Sequence, residues 1–276
     1  MNTAEARQQF KAAIDRPDCD INLAEAALCI ALEEYPFLPV TDYLQQIDRM
    51  AEVVRVQLPA EKYPLRIIQT INRYLYQEQK FVGNTESYYD PRNSFLNDVL
   101  DRKTGIPITL ALVYLEIARR IDFPMVGINM PGHFVIKPEI EDMDVYVDAF
   151  HEGQILFPED CRDRLTAIYG QTLEISQIPS LLEKISSRRF LARMLTNLKY
   201  IYLNQGVFTK ALAVVERLLL LFPDNLTEVR DRGILYYQLG QSPEAIRDLE
   251  TYLLQLPQAE DALPLQQLLD RLKNTL

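Results

Sequence analysis

The chain has 276 residues, of which 48% are hydrophobic and 25% are charged, and its formal net charge is −10. The apolar content excludes an intrinsically disordered protein, and the negative charge disfavours a nucleic-acid partner, since phosphate binding needs clustered Lys and Arg. The apolar runs are too short to cross a bilayer, and the first residues do not resemble a secretory signal, so we expect no membrane partner.

The three cysteines are Cys19, Cys29 and Cys161. Their odd number and irregular spacing fit neither a disulfide framework nor a metal site. Unpaired thiols are typical of a reducing compartment. We therefore expect a cytoplasmic protein that has no bound metal and no other cofactor.

The first eighty residues are predicted to be helical, because apolar residues recur at helical spacing. Asn22 and Glu25 stand at the two positions of a capping box, and Thr41 is the predicted N-cap of the following helix. A third helix is predicted over residues 63–79.

Residues 81–107 are rich in Gly, Asn, Asp and Pro, which predicts a loop with one short helical turn around residues 94–100. Long irregular segments inside compact domains are often functional. An apolar helix follows, and Pro107 stands in its first turn, where a missing N–H costs nothing.

From Pro124 onwards the apolar period becomes two, which predicts three short antiparallel strands over residues 125–130, 133–139 and 144–150. A hairpin centred on "KPEIEDMD" would place His133 directly opposite Asp148 on neighbouring strands. Two interpretations stay open for this pair: a remnant of a catalytic site, or a half-buried histidine tethered to a carboxylate. His151 is predicted to be a surface turn residue.

The last ninety residues contain a repeat, because four pairs of residues share an offset of 34: Tyr202 and Tyr236, Gly206 and Gly240, Ala211 and Ala245, Pro223 and Pro257. That period is typical of tetratricopeptide repeats. Two repeats are predicted over residues 189–257, followed by a polar terminal helix. Such arrays form a groove that binds peptides or helices, and Tyr202 and Tyr236 are candidates to line it.

The stretch "GNTESYYDPRNSFLNDVLDRKTGIPITLALVYLEIARRIDFPMVGINMPGHFVIK" resembles a bacterial family described as regulators of sirC expression. The resemblance is densest over residues 83–153, and it extends to a domain of a eukaryotic F-box protein. It implies a transglutaminase-like, papain-like core followed by tetratricopeptide repeats.

Transglutaminase-like cores carry a Cys, His and Asp triad, with the Cys opening a helix in the pattern G-x-C-x-x-x-A. In "GIPITLA", Gly105 and Ala111 match that pattern, but the nucleophile position is Pro107. The resemblance assigns the triad His to His133 and the triad Asp to Asp148. The chain therefore has no thiol at this position to form the covalent thioester intermediate of such enzymes.

The predicted loop offers a candidate binding surface made of Tyr88, Tyr89, Arg92, Asn93 and Asn97. Tyr and Arg are enriched at binding hot spots. For Asp90 and Asn93, ordinary turn and helix-cap roles are the simpler interpretation.

The sequence thus predicts an α+β, mostly helical protein. A helical N-terminal region and a transglutaminase-like (papain-like) core with a small antiparallel sheet are expected in residues 1–185, and two tetratricopeptide repeats with a terminal capping helix in residues 186–276. We expect a noncatalytic adaptor or regulator that binds a protein or peptide through the repeat groove. The alternative is a hydrolase or transferase that uses His133 and Asp148 on a peptide or amide substrate.

Overall fold

The computed structural model describes residues 3–141, 143–170 and 182–275. It is mostly helical with two small sheets, which confirms the predicted α+β class. The chain divides into two compact units, Met1–Met194 and Leu195–Leu276. The boundary between them falls within one helix, Ser187–Asn204. The sequence predicts the boundary earlier, between residues 185 and 186.

The N-terminal helices are α1 (Thr3–Ile14), α2 (Leu23–Ala31), α3 (Val40–Gln57) and α4 (Pro64–Asn72). The predicted cap of α2 is confirmed, because Asn22 Oδ1 accepts the backbone N–H of Glu25 at 3.2 Å. The predicted cap at Thr41 is wrong. The Pro39 carbonyl already accepts the N–H of Asp42 at 3.0 Å, so α3 begins before Thr41.

A π-helical segment, Arg73–Glu78, continues α4. At its end the N–H of Gln79 donates to the carbonyl of Tyr74 at 2.8 Å. The two residues are five positions apart, which is the hydrogen-bond spacing of a π-helix and one more than that of an α-helix. The segment buries Tyr74, Leu75 and Tyr76 on its inner side. Single π-turns are frequent at functional sites, and this one carries Tyr76 towards the site described below.

The predicted loop contains a parallel pair, β1 (Val82–Gly83) and β2 (Thr104–Gly105), and a short helix, α5 (Leu96–Arg102). Next, α6 (Pro107–Arg120) begins at Pro107 as predicted. Every residue from Ile108 to Ala118 is buried, so α6 is the central helix of this unit's core.

A four-stranded antiparallel sheet follows in the order β3 (Met125–Ile128), β4 (Val135–Pro138), β5 (Tyr146–Asp148), β6 (Gln154–Leu156). Three strands were expected, and β6 is the addition. The predicted register is wrong: Ile136 pairs with Val147, where the predicted hairpin pairs it with Val145.

The remaining helices are α7 (Pro158–Tyr169), α8 (Ser187–Asn204), α9 (Phe208–Leu221), α10 (Leu226–Gln238), α11 (Ser242–Gln255) and α12 (Ala262–Thr275). The helices of the second unit form the predicted pairs. Gly206 and Gly240 stand at the turns with φ of 69° and 72°, a backbone conformation that favours glycine. Ala211 and Ala245 are fully buried at equivalent positions.

Candidate functional site

A tight turn over residues 149–153 follows β5, and side chains of the helical core hold both of its ends. The Tyr76 hydroxyl of the π-helical segment donates to the carbonyl of Ala149 at 3.0 Å. The Asn72 amide donates to the carbonyl of Gly153 at 2.8 Å, and the Tyr114 hydroxyl of α6 donates to Asn72 at 3.0 Å. The helical core therefore determines where this turn lies.

The same turn has a strained backbone. Glu152 has a φ of 52° and Gly153 a φ of 73°, and a residue other than glycine rarely adopts such a value. Strain of this kind persists only where the surrounding structure imposes it, and it is concentrated at functional sites. The turn is for that reason a candidate site.

Asp148, at the end of β5, is the buried centre of the candidate site, with 1% of its surface exposed. It accepts the backbone N–H groups of Phe150 at 3.1 Å and His151 at 3.3 Å. Its other oxygen binds Nδ1 of His151 at 2.8 Å and the guanidinium of Arg164. Burial alone would raise the pKa of Asp148, but the hydrogen bonds from Arg164 and His151 outweigh it and hold the pKa below the usual value.

His133 does not make the contact that the sequence predicts. It lies after the turn at Pro131 and Gly132, outside β4, and within the described residues no hydrogen bond joins it to Asp148. The changed register and this turn are the physical reason. The pKa of the half-buried His133 imidazole is lowered, mainly because burial disfavours its charged form and also because the positive charge of Arg164 is nearby.

His151 takes the place that was expected for His133. It is a turn residue with half of its side chain exposed, as predicted, yet it is also the histidine that binds Asp148. An ionised carboxylate only accepts hydrogen bonds, so Nδ1 of His151 is the donor in this bond. The stretch "DAFHEG" over residues 148–153 has the spacing Asp-x-x-His with a glycine two residues later, and this spacing is the sequence signal that could have indicated the pair.

An aromatic surface adjoins the turn. The Phe150 ring packs edge-on against His151, with centroids 5.2 Å apart, and against Tyr88 at 6.1 Å. Tyr88 in turn packs against Tyr89, which is 63% exposed. The exposed Arg92 is paired with Asp90 at 2.7 Å. Tyr88, Tyr89 and Arg92 therefore lie on an exposed surface, as expected.

Two of the candidate surface residues are buried. Asn93 is fully buried, and its side-chain amide donates to the carbonyls of Ser87 and Tyr88, so it holds the loop together. Asn97 is 4% exposed, and its Oδ1 has no hydrogen-bond partner among the described residues. Neither residue fits a role on an exposed binding surface.

Neither Thr109 nor any of the three cysteines is placed to act as a nucleophile in place of a triad cysteine at Pro107. The Thr109 hydroxyl is buried and donates to the carbonyl of Asn93 at 2.7 Å. Burial raises the pKa of the Cys161 thiol to about 11 and that of Cys29 to about 12. Cys19 lies apart in a short helix, Asp18–Asp20. Among the described residues, no group of three or more potential ligands could hold a metal ion.

The second unit presents an apolar face on its first and third helices. Tyr200 and Leu203 of α8 are 60% and 38% exposed, and Tyr237 of α10 is 41% exposed. Leu203 and Tyr237 are separated by the repeat offset of 34, as are Tyr200 and the half-buried Ile234. We call these four residues the repeat face. Leu203 and Tyr237 thus place exposed apolar side chains at equivalent positions of the two repeats, whereas Ile234 also packs against the core of the second unit.

The predicted groove residues lie elsewhere. Tyr202 is 4% exposed and belongs to the core, so it does not fit the predicted groove. Tyr236 is half-buried, and its hydroxyl donates to Glu216 at 3.3 Å. Helical spacing explains the difference, since residues one or two positions apart point to different sides of a helix.

Ion pairs join the helices that carry the repeat face. Lys199 of α8 binds Glu228 at 2.7 Å and also Asp231, both on α10. Arg230 of α10 binds Asp261, just before α12, at 2.7 Å. The pairs of Lys199 join the two helices of the repeat face, and the pair of Arg230 joins α10 to the segment before α12.

Fold and site together define a transglutaminase-like protein with C-terminal repeats. Residues 41–196 match the model of the transglutaminase-like superfamily, and residues 198–270 match a tetratricopeptide-repeat model. The UPF0162 protein of Xylella fastidiosa (strain Temecula1) is 35% identical over 242 residues, which is 87% of this chain and 86% of that protein. The UPF0162 protein of Pseudomonas aeruginosa is 33% identical over 233 residues, 84% of each chain. The chain therefore belongs to the UPF0162 family of the transglutaminase-like superfamily.

The chain is also similar to two proteins outside the UPF0162 family. Human F-box only protein 21 is 30% identical over 190 residues, which is 65% of this chain and 29% of that protein. Among solved structures, menin superposes with a TM-score of 0.43 and 11% identity over 90% of this chain and 68% of the menin chain, too weak a likeness to support an argument. No helix in the described ranges is long and apolar enough to cross a membrane.

Proposed function

We propose that this protein is a noncatalytic adaptor or regulator whose repeat domain binds a partner protein or peptide. The observation that carries the proposal is the repeat face, because exposed apolar and tyrosine side chains recur at equivalent positions of α8 and α10. Stacked helical repeats commonly use such a face for binding. The cytoplasmic location and the regulatory role implied by the resemblance to regulators of sirC expression belong to the same proposal.

The absence of a catalytic thiol supports the noncatalytic part of the proposal. Pro107 stands at the first position of α6, where transglutaminase-like enzymes place the cysteine. A proline ring has no atom that can attack an acyl group, and its nitrogen has no N–H to stabilise an oxyanion.

Affinity purification from cells tests the role of the repeat face. The full chain carrying Tyr200→Ser and Tyr237→Ser should lose the partners that the wild-type chain retains, because two exposed anchors are removed. Leu254→Ser is the matched control, since Leu254 is 83% exposed on α11, a helix that carries no residue of the repeat face. Equal recovery of the same partners by all three chains would reject the proposal.

One observation favours a second candidate function, a hydrolase or transferase acting on a peptide or amide. The 2.8 Å bond from His151 to Asp148 orients the imidazole as a general base, and half of that side chain is open to solvent. In this scheme Nε2 takes a proton from a water molecule, and the resulting hydroxide attacks the amide carbonyl. The nitrogen that leaves then receives the same proton.

Turnover of peptide 4-nitroanilides by the purified chain tests this second candidate. His151→Ala should abolish the turnover, whereas the alternative dyad requires that His133→Ala abolish it. Identical release of nitroaniline by wild type and both variants would show that neither histidine acts as a base.

A further inference from the structure

The segment between α2 and α3, "YPFLPV" over residues 35–40, is apolar and projects from the surface of the first unit. Phe37 is 91% exposed, the highest fraction among the exposed large apolar side chains of the described ranges. Leu38 and Pro36 beside it are half-buried, and Pro39 is exposed. Exposed phenylalanine is costly in water, so its place at the tip of a loop requires an explanation.

The segment is rigid, although only its last residue, Val40, belongs to a helix. Pro36 and Pro39 each restrict φ. The N–H of Leu38 donates to the carbonyl of Tyr35 at 3.0 Å, and the N–H of Val40 donates to that of Leu38 at 3.0 Å. A rigid anchor loses little conformational entropy on binding, which favours affinity.

The base of the segment is fixed to the core by Tyr35. Its hydroxyl donates to Asp98 of α5 at 2.6 Å, and its ring packs edge-on against Phe95 with centroids 5.8 Å apart. Phe37 therefore projects from a base that is anchored on a different helix.

The sequence on either side of Phe37 carries charge of one sign. Residues 17–48 contain seven Asp and Glu residues and neither Lys nor Arg. Glu33 forms an ion pair with Arg7, and Asp48 forms one with Arg120. The exposed Glu34 and Asp42 lie within five residues of Phe37 on either side. Asp101, which accepts the Tyr43 hydroxyl at 2.7 Å, adds a further carboxylate next to α3.

We propose that Phe37 is the anchor of a second protein-binding surface, and that its partner has an apolar pocket rimmed by Lys and Arg. An aromatic side chain that fills such a pocket is a common hot spot, and opposite charge at the rim speeds association and selects the partner. This surface does not depend on the repeat face.

A second copy of the same chain fits Phe37 less well. The first unit does have an apolar pocket of about 390 Å³ bordered by Lys137 and Lys184, but each lysine is already paired with a carboxylate, Lys137 with Asp144 at 2.7 Å and Lys184 with Glu139 at 2.9 Å. The whole chain also carries a net charge of −10, so two copies repel each other on average. An anionic membrane would likewise be repelled by the carboxylates around Phe37.

Photo-crosslinking followed by affinity measurement tests the proposal. The full chain is produced in cells of its own species with p-benzoylphenylalanine at position 37, and a matched control carries it at Val56, which is 78% exposed on α3. The proposal expects a protein joined through position 37 but not through position 56, with the crosslink inside an apolar pocket bordered by Lys or Arg.

The crosslinked protein is then purified and titrated against the full chain. Phe37→Ala should weaken its binding at least tenfold, Phe37→Leu should restore most of the loss, and Val56→Ala should change it less than twofold. Raising the salt concentration from 50 to 300 mM should weaken binding severalfold, as expected for opposite charges. A crosslink only to a second copy or to lipid, no product above the control, or an affinity that Phe37→Ala leaves unchanged would each overturn the proposal.

Discussion

Replacing Gly153 with alanine tests whether the core imposes the conformation of the turn at residues 149–153. Gly153 has a φ of 73°, and a Cβ atom at this position would lie 2.2 Å from Oδ1 of Asn72 and 2.4 Å from its Cγ. Both atoms belong to a side chain held by two hydrogen bonds, one to the Gly153 carbonyl and one from Tyr114. The alanine variant must therefore displace Asn72.

The expected loss of stability has two parts. A residue other than glycine in the left-handed region costs about 1 kcal/mol. Each of the two disrupted hydrogen bonds contributes about 1 kcal/mol. We therefore expect Gly153→Ala to lower the free energy of unfolding by about 3 kcal/mol.

Gly170→Ala is the matched control, because Gly170 has a similar φ of 66° while no described atom lies within 4 Å of a Cβ placed there. It should cost only the backbone part, about 1 kcal/mol. Urea unfolding followed by far-ultraviolet circular dichroism measures both variants, since the chain has no tryptophan for fluorescence.

The Asn72→Ala background separates the two parts. In that background Gly153→Ala should cost about 1 kcal/mol, because the obstructing amide and its hydrogen bonds are already absent. Equal losses for Gly153→Ala and Gly170→Ala in the otherwise wild-type chain would refute the argument that contact with Asn72 determines the turn.

Two further predictions concern charges at the candidate site, and unfolding in urea at several pH values checks both. Asp148→Asn should cost about 2 to 3 kcal/mol at pH 7, because it breaks a largely buried ion pair with Arg164. The pKa of Asp148 is lowered in the folded state, so its stabilisation is present above the ordinary carboxyl pKa and is lost as pH falls through the lowered value; a loss that is as large at pH 2 as at pH 7 would contradict this. The pKa of His133 is also lowered, so the unfolded chain takes up its proton first and stability should fall as pH drops below the ordinary value of 6.5. His133→Gln should flatten that part of the curve, and an unchanged slope would exclude His133 as its source.

Most secondary structure could be predicted from the sequence, because local patterns suffice for it. The cap at Asn22, the start of α6 at Pro107 and the helix pairs with turns at Gly206 and Gly240 all depend on residues close together in the chain. Thr41 is an exception: it has the right type for a cap, but the backbone at Pro39 already forms the first turn.

The candidate site could be predicted only in part. Asp148 was identified, but its partner is His151, since strand pairing moved by two residues and His133 follows a turn outside β4. A shift of two leaves the alternation of buried and exposed residues unchanged, so the apolar pattern does not distinguish the two registers. The support from Asn72 and Tyr76 comes from residues more than seventy positions away.

By itself the sequence determined the mostly helical class, the repeat period and the proline at position 107, since each is written in neighbouring residues or in a fixed offset. Only the tertiary structure decided which histidine binds Asp148, and that Tyr200 is exposed while Tyr202 is in the core. The physical reason is that burial and side-chain pairing arise from packing between distant segments, and many arrangements of those segments satisfy the same local pattern.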